Sequence, residues 1–311
     1  MQSYAFIFPG QGSQHAGMGK DLADNFKTAR ISFEEADDAL GFSLSRLCFE
    51  GPEEDLKLTA NTQPAILAAS VAALRVLREE SPLTPSFLAG HSLGEYSALV
   101  ASGALQFADA LRIVRARGSY MQDAVPVGVG AMAAILGAEA DVLQGICEEA
   151  AQGQIVSPAN FNSPGQIVIA GHTAAVNRAI EIAKGKGLRK AMLLPVSAPF
   201  HCALMQKAAQ RLSETLDPIQ VGPLATPVVT NVEAKPNSDA ARVKPLLVEQ
   251  VCSPVLWDAT VQQIVAAGVT GFVEIGPGKV LAGLVKRIDK ETTCFNVQDM
   301  AGVKALTGGA Q

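Results

Sequence analysis

The stretch of this 311-residue chain that most directly suggests chemistry is Gly90-His91-Ser92-Leu93-Gly94. It matches G-x-S-x-G and follows an apolar run, Phe87-Leu88-Ala89. A sharp strand-to-helix turn strains its central serine and projects the hydroxyl outward. Small residues two before and two after let the backbones pass closely. The N-terminus of the following helix aims free N–H groups at developing negative charge, so Leu93 N–H is a candidate oxyanion donor. The plainer reading is a serine that merely caps a helix in a tight glycine turn. The strand before and the helix after favour a nucleophile.

A serine nucleophile needs a base, normally histidine. The chain has four: His15, His91, His172 and His201. His91 adjoins Ser92, so its side chain should project elsewhere, toward a structural or substrate-side hydrogen bond. His15 sits in a Gly-rich loop and could reach the site. His172 follows a strand and reads as a helix cap. His201 follows Pro195-Val196-Ser197-Ala198-Pro199-Phe200, where the chain leaves an internal unit, and a residue at such a junction lines a cleft. On that ground His201 is the favoured base.

Other chemistries fit poorly. Gly276-Pro277-Gly278-Lys279-Val280 lacks the spacing and the Ser/Thr of a P-loop, and Gly128-x-Gly130-x-x-Ala133 precedes a strand instead of following one. The histidines are too scattered for a metal site, so neither metal nor cofactor is expected. A net charge of −5 argues against a nucleic-acid partner. The longest apolar stretch, about Pro64 to Leu77, is interrupted by Arg75 and reads as a buried helix, not a membrane span. Met1-Gln2-Ser3-Tyr4 has no basic leader and runs into a strand-like segment, so no signal peptide is expected. Five scattered cysteines without a C-x-x-C pair suit free thiols in a reducing cytoplasm.

The elements that must position these residues alternate strand and helix, the pattern of an α/β protein with a mainly parallel sheet. Strands are expected at Tyr4–Phe8, Phe87–Ala89, Pro227–Asn231 and Phe272–Ile275. Helices are expected at Leu93–Ser102, Phe107–Met121, Val255–Ala267 and Lys279–Ile288. Between them, Ala131–Leu136, Ala138–Ala150, Ile155–Ala159, Gln166–Ala170, Thr173–Lys186 and Arg189–Leu194 read β-α-β-β-α-β, a split-βαβ, ferredoxin-like order. Asn162-Ser163-Pro164-Gly165 is a turn signal, Thr173 is the expected N-cap of the helix it opens, and the Gly- and Ala-rich tail after Met300 is expected to fray. Residues 126–197 therefore read as a small subdomain inserted into a large domain made of 1–125 and 198–311.

Several segments together resemble the malonyl-CoA:acyl carrier protein transacylase family. They are Phe8-Pro9-Gly10-Gln11-Gly12-Ser13-Gln14, Thr62-Gln63-Pro64-Ala65, Gly90-His91-Ser92-Leu93-Gly94-Glu95-Tyr96-Ser97-Ala98, Asn160-Phe161-Asn162-Ser163-Pro164-Gly165-Gln166 and Glu274-Ile275-Gly276-Pro277-Gly278-Lys279-Val280-Leu281. The resemblance covers nearly the whole chain. It implies an α/β-hydrolase-like core with a parallel sheet and a ferredoxin-like insert, in agreement with the order above. It implies Ser92 as acylated nucleophile, His201 as base, and the backbone carbonyl of Gln250, not an aspartate, as the group that orients it. Gln11 and Leu93 would donate the oxyanion N–H groups, and Arg117 would grip the malonyl carboxylate. An arginine suits that role because its planar fork makes two parallel bonds to a carboxylate. Without the resemblance, Arg117 reads like Arg112 and Arg115, solvated charges on a helix.

The resemblance also puts Gln63, His91, Asn160 and Phe200 around the substrate. In related polyketide acyltransferases a Phe before the histidine tends to accompany malonyl and a Ser methylmalonyl. The partners implied are malonyl-CoA and holo acyl carrier protein, the enzyme acting as a monomer in the cytoplasm, in fatty acid biosynthesis or on a polyketide assembly line. Both partners are anionic while the chain is acidic, so local basic groups must dock them. Lys184, Lys186, Arg189, Lys190, Lys286 and Arg287 are the candidates, against ordinary surface charge. A serine esterase or thioesterase shares the elbow and base, but such enzymes place an acid and then a late histidine near the C-terminus. No histidine follows His201 here. A non-enzymatic carrier-binding module would leave the elbow unexplained.

Overall fold

The computed structural model describes residues 3–196 and 198–308. Strand β1 (Tyr4–Phe8) leads into four helices, α1 (Lys20–Asn25), α2 (Lys27–Leu40), α3 (Leu44–Glu50) and α4 (Glu53–Leu56), and then the long α5 (Thr59–Glu80). There follow β2 (Phe87–Gly90), α6 (Gly94–Ala101) and α7 (Phe107–Asp123). The middle of the chain forms β3 (Gly130–Leu136), α8 (Ala140–Ala151), β4 (Val156–Ser163), β5 (Gln166–His172), α9 (Thr173–Gly185) and β6 (Lys190–Leu193). A short 3₁₀ turn at Ala203–Met205 precedes α10 (Gln206–Leu216), β7 (Val228–Val229), β8 (Pro236–Asn237), α11 (Ala240–Gln250) and α12 (Trp257–Ala266). The chain closes with β9 (Gly271–Ile275), α13 (Val280–Ile288), β10 (Thr293–Val297) and α14 (Met300–Thr307).

Six strands make the large sheet in the order β10-β9-β1-β2-β7-β8. All neighbours are parallel except the β7–β8 pair. A sheet covered on both faces needs continuous apolar strands, and β1 divides its side chains accordingly. Phe6 and Phe8 enter the core shared with α5 and α6, while Ala5 and Ile7 pack with Trp257, Val261 and Leu284 of α12 and α13. Phe8 is level with Gly90. The turns after β1, β2 and β9 therefore leave the same carboxyl edge, where parallel sheets build their sites.

The second sheet runs β4-β5-β3-β6, with every neighbour antiparallel. Each β-α-β crossover in it is split by one strand: β5 lies between β3 and β4, and β3 between β5 and β6. Alternation again sorts the faces. Ala133, Ile135 and Ile169 pack with α8 and α9, and Met132, Val168 and Ala170 face the main core. All four strands fall within residues 130–193, and on that basis we propose residues 126–197 as an inserted subdomain of the chain. Ser197, at its end, lies outside the described residues.

Some expectations need correction. Helix α6 starts at Gly94, one residue late, because Ser92 and Leu93 belong to the turn. Residue His172, not Thr173, holds the N-cap position of α9, and the Thr173 hydroxyl instead donates to Gly128 O at 2.7 Å. Asn162 and Ser163 continue β4 instead of turning, since Ser163 still pairs with Gln166. The tail is not frayed up to Thr307: Asp299 accepts from Gly302 N–H at 2.8 Å as a helix cap, and Val303 is buried. Met1, Gln2 and the tail residues 309–311 lie outside the described residues.

Candidate active site

Ser92 stands at the end of β2 with φ 51°, a left-handed backbone that side chains disfavour. Glycines make the turn possible. A Cβ on Gly90 would stand 1.9 Å from the Gly94 carbonyl carbon, and one on Gly94 would stand 2.1 Å from Phe8 O. Asn231, just beyond β7, holds the turn from the far side. Its Oδ1 accepts the Ser92 N–H at 2.6 Å and its Nδ2 donates to Gly90 O at 2.6 Å. In the sequence it shows only as the polar residue that ends the Pro227–Asn231 run, which gives no sign of this role.

His201 follows the chain's exit from the second sheet, also with positive φ, 60°. Its Nε2 lies 2.7 Å from Ser92 Oγ and its Nδ1 2.8 Å from Gln250 O. A carbonyl only accepts, so Nδ1 carries the proton and Nε2 is free to accept from the serine hydroxyl. Burial and then the Arg117 charge push His201 down to about 3, against the Gln250 carbonyl. The imidazole is therefore neutral at physiological pH. The other histidines are engaged elsewhere. His91 Nε2 meets Asn162 Oδ1 at 2.8 Å, with its ring 5.8 Å from that of Trp257. His172 Nδ1 accepts the Ile155 N–H. His15 lines a separate polar cavity with Asp21 and Asp299.

Arg117, on α7, is not a solvated charge. It is 1% exposed, its guanidinium over the Tyr96 ring at 5.5 Å. Nη1 donates to Gln63 Oε1 at 2.8 Å, and Nη2 to Gln250 Oε1 at 2.8 Å and to Ser92 Oγ at 3.2 Å. Arg112 and Arg115 do stay at the surface, with Asp109 and Asn61 respectively. Gln250 joins the groups: its side-chain Nε2 donates to Ser92 O at 3.1 Å and to Glu95 Oε2 at 2.7 Å. Glu95, one helical turn past the serine, also accepts the Asn231 N–H at 3.1 Å. Burial pushes its carboxyl up to about 7, opposed by Gln250, Asn231 and Arg117. In the sequence Glu95 stands only as the acid after the Gly90–Gly94 turn, with no pattern that marks a role.

A cavity of about 120 Å³ opens over Ser92. Gln11, Gln63, His91, Leu93, Arg117, Asn160, Phe200 and His201 line it together with Met121, Met132, Leu194 and Val196. Gln250 lies behind it. Among the described residues neither Gln11 N–H nor Leu93 N–H has a protein acceptor. The arrangement offers a hydroxyl with its base, two free backbone donors and a buried cation in one small space. That set can acylate a serine and bind an anionic acyl group. Among the described residues no cluster of His, Cys, Asp or Glu could hold a metal ion. Of the basic candidates, Lys184 pairs with Glu181, Lys186 with Glu149, and Lys286 and Arg287 bond to Thr292 O and Gln166. Arg189 and Lys190 are exposed.

Comparison with known proteins places this site in a lineage. The acyl transferase domain family matches residues 5–307. The malonyl CoA-acyl carrier protein transacylase of Salmonella typhimurium is 49% identical over 305 residues, 98% of this chain and 99% of that protein. The chain belongs to the malonyl CoA-acyl carrier protein transacylase family. The solved structure of the Coxiella burnetii transacylase matches with a TM-score of 0.97 and 44% identity, covering 99% of this chain and 97% of that one. A malonyl-transacylase solved in complex with a type II PKS acyl carrier protein matches with a TM-score of 0.97 and 48% identity, over 99% of this chain and 100% of that one. The family's α/β fold is thus the fold of this chain.

Proposed function

We propose that this chain moves the malonyl group of malonyl-CoA to the phosphopantetheine thiol of an acyl carrier protein, through an acyl-serine intermediate, in fatty acid biosynthesis. The observation that carries the reading is the buried Arg117, 3.2 Å from Ser92 Oγ, in the cavity where Ser92 meets His201. His201 Nε2 takes the Ser92 proton as Oγ attacks the thioester carbonyl. The oxyanion rests on the Gln11 and Leu93 N–H groups, each worth roughly 3 kcal/mol in the transition state. The imidazolium is steadied by the Gln250 carbonyl, and a malonyl carboxylate offsets the Arg117 charge that otherwise opposes it. The imidazolium then protonates the leaving CoA thiolate. The carrier thiol attacks the acyl-enzyme by the reverse steps. Gln63 holds Arg117 in place, while His91, Asn160 and Phe200 wall the acyl group, the Phe200 ring leaving little room for an α-branch.

A polyketide role is the second reading, favoured by the likeness to the malonyl-transacylase that binds a type II PKS carrier protein. For localisation we propose the cytoplasm, and for assembly a monomer without nucleic-acid partners. No described helix is long and apolar enough to cross a membrane, and the five cysteines are free. The test is incubation with malonyl-CoA followed by mass spectrometry. A malonyl adduct on Ser92 that passes to acyl carrier protein is expected. An adduct lost only to water would mean a hydrolase, and no adduct would defeat the proposal. Arg117→Ala should reduce malonyl transfer by at least about tenfold more than acetyl transfer; equal losses would remove Arg117 as the carboxylate grip.

A further inference from the structure

Arg117 presents a puzzle that its role as a grip does not solve. It is a fully buried cation, and no described carboxylate lies within ion-pairing distance of it. A buried charge without compensation is strongly unfavourable. Its three hydrogen bonds go to neutral groups: Gln63, Gln250 and Ser92 supply the acceptors, and Nε has no partner. The nearest negative group reached through the network is Glu95, 2% exposed, on the opposite side of the Gln250 amide.

We propose that Glu95 is the counter-ion of Arg117, held one amide away by Gln250 so that the guanidinium keeps a face free for an acyl carboxylate. The proposal rests on the malonyl reading and adds to it. Glu95 is a positioning residue; it touches no reacting atom. Three observations converge on it. First, the Gln250 amide lies between an obligate acceptor and an obligate donor. Its Nε2 faces the Glu95 carboxylate at 2.7 Å and its Oε1 faces Arg117 Nη2 at 2.8 Å. A carboxylate can only accept and a guanidinium only donate, so the amide has one orientation and its dipole runs from the anion to the cation. Second, the carboxylate is itself fixed by the Asn231 N–H at 3.1 Å, and cannot swing over to Arg117 without losing that bond. Third, Arg117 is one of the influences that draw the Glu95 proton off against burial, and Glu95 in turn favours the charged form of Arg117.

The set-back distance has a functional meaning. A carboxylate in direct contact with Arg117 would fill the fork that a malonyl group needs. A carboxylate absent altogether would leave the cavity strongly positive, so that small anions would occupy it and malonyl products would leave slowly. One amide of separation avoids both.

The experiment compares the two acyl donors at pH 8, where Glu95 is ionised. Glu95→Gln keeps an oxygen for Gln250 and Asn231 and removes only the charge. KM for malonyl-CoA should fall at least about threefold, with a smaller change for acetyl-CoA, since a unit charge acts on the carboxylate alone. In an Arg117→Ala background the same substitution should have no differential effect. The exchange Glu95→Gln with Gln250→Glu keeps the net charge but moves it against the guanidinium. It should raise KM for malonyl-CoA at least about tenfold more than for acetyl-CoA. A purely structural Glu95 would change both donors alike, and that result overturns the proposal. So does a malonyl effect that persists without Arg117. Parent enzyme that forms no malonyl adduct would instead sink the malonyl reading itself, which keeps the two failures distinct.

Discussion

Two strand-turn-helix units leave the same edge of the large sheet, and they treat their helix N-termini in opposite ways. After β9, the turn Gly276-Pro277-Gly278 leads into α13, whose first N–H groups are taken by the protein itself. Glu274 Oε1 accepts from Leu281 N–H at 3.1 Å and Oε2 from Ala282 N–H at 2.8 Å. After β2, the turn through Ser92 leads into α6, and Leu93 N–H meets only the cavity. Both turns are glycine-rich and both lie beside a buried glutamate whose carboxyl is pushed up to about 7 by burial. The difference lies in where that glutamate sits. Glu274 is on the strand and fills the anion position at the helix start. Glu95 is inside the helix and faces away from that position. An occupied helix start is a structural joint, and an unoccupied one is available to a reacting oxyanion.

The largest effect should come from removing the proposed nucleophile of the open unit. Ser92→Ala is expected to lower malonyl transfer by about 10⁴-fold or more in a steady-state assay. Glu274→Ala in the closed unit should leave kcat within about twofold once the protein is folded. A kcat loss comparable to that of Ser92→Ala would erase the distinction. Next in size is Gly94→Ala. Its new Cβ would sit 2.1 Å from Phe8 O, so the backbone must move, and a loss of about 3 kcal/mol or more in denaturant unfolding is expected.

Acid and alkali should then act on the two units with opposite sign. Glu274 has a folded pKa raised to about 7. Its contribution is full below the unfolded value near 4.5 and is lost as pH rises through 7. Glu274→Ala should therefore cost about 2 kcal/mol at pH 5 and less at pH 8, by urea unfolding. His201 has a folded pKa lowered to about 3. The unfolded chain takes up a proton below about 6.5 that the folded site refuses, so stability falls as pH falls. His201→Ala should relieve about 2 kcal/mol of that acid sensitivity between pH 8 and pH 5. An unchanged pH dependence would show that His201 is not held neutral. The smallest effect is Gly283→Ala in α13, where nothing lies within 4 Å of the new Cβ. A gain of about 0.5–1 kcal/mol is expected, in contrast with the glycine of the open unit.

What was legible in the sequence was local. The strand-turn-helix frame around Ser92 follows from apolar period and glycine spacing, and the β-α-β-β-α-β order appears as the second sheet. Helices α1 and α4, of six and four residues, carry too few periods to show a face in the sequence. Arg117 shares its helix with exposed arginines, and only packing under Tyr96 and Gln63 sets it apart. Asn231 and Gln250 reach the serine from 139 and 158 residues away. No local pattern marks them, since what they supply is a hydrogen bond to backbone atoms that exist in every sequence. Glu95 looks like any acid in a first helical turn until its burial is known.

Among the described residues, four that are not glycine have positive φ: Ser92, Gln152, His201 and Ala234. Two of the four, 109 positions apart, are joined by a single hydrogen bond. Each conformation is one that glycine would adopt at no steric penalty, and each costs a side chain on the order of 1 kcal/mol. Selection for durability alone would drift toward glycine at both places. With the proposed roles of Ser92 and His201, the serine and histidine there set turnover against robustness, a conflict written into the main chain before any side chain is considered.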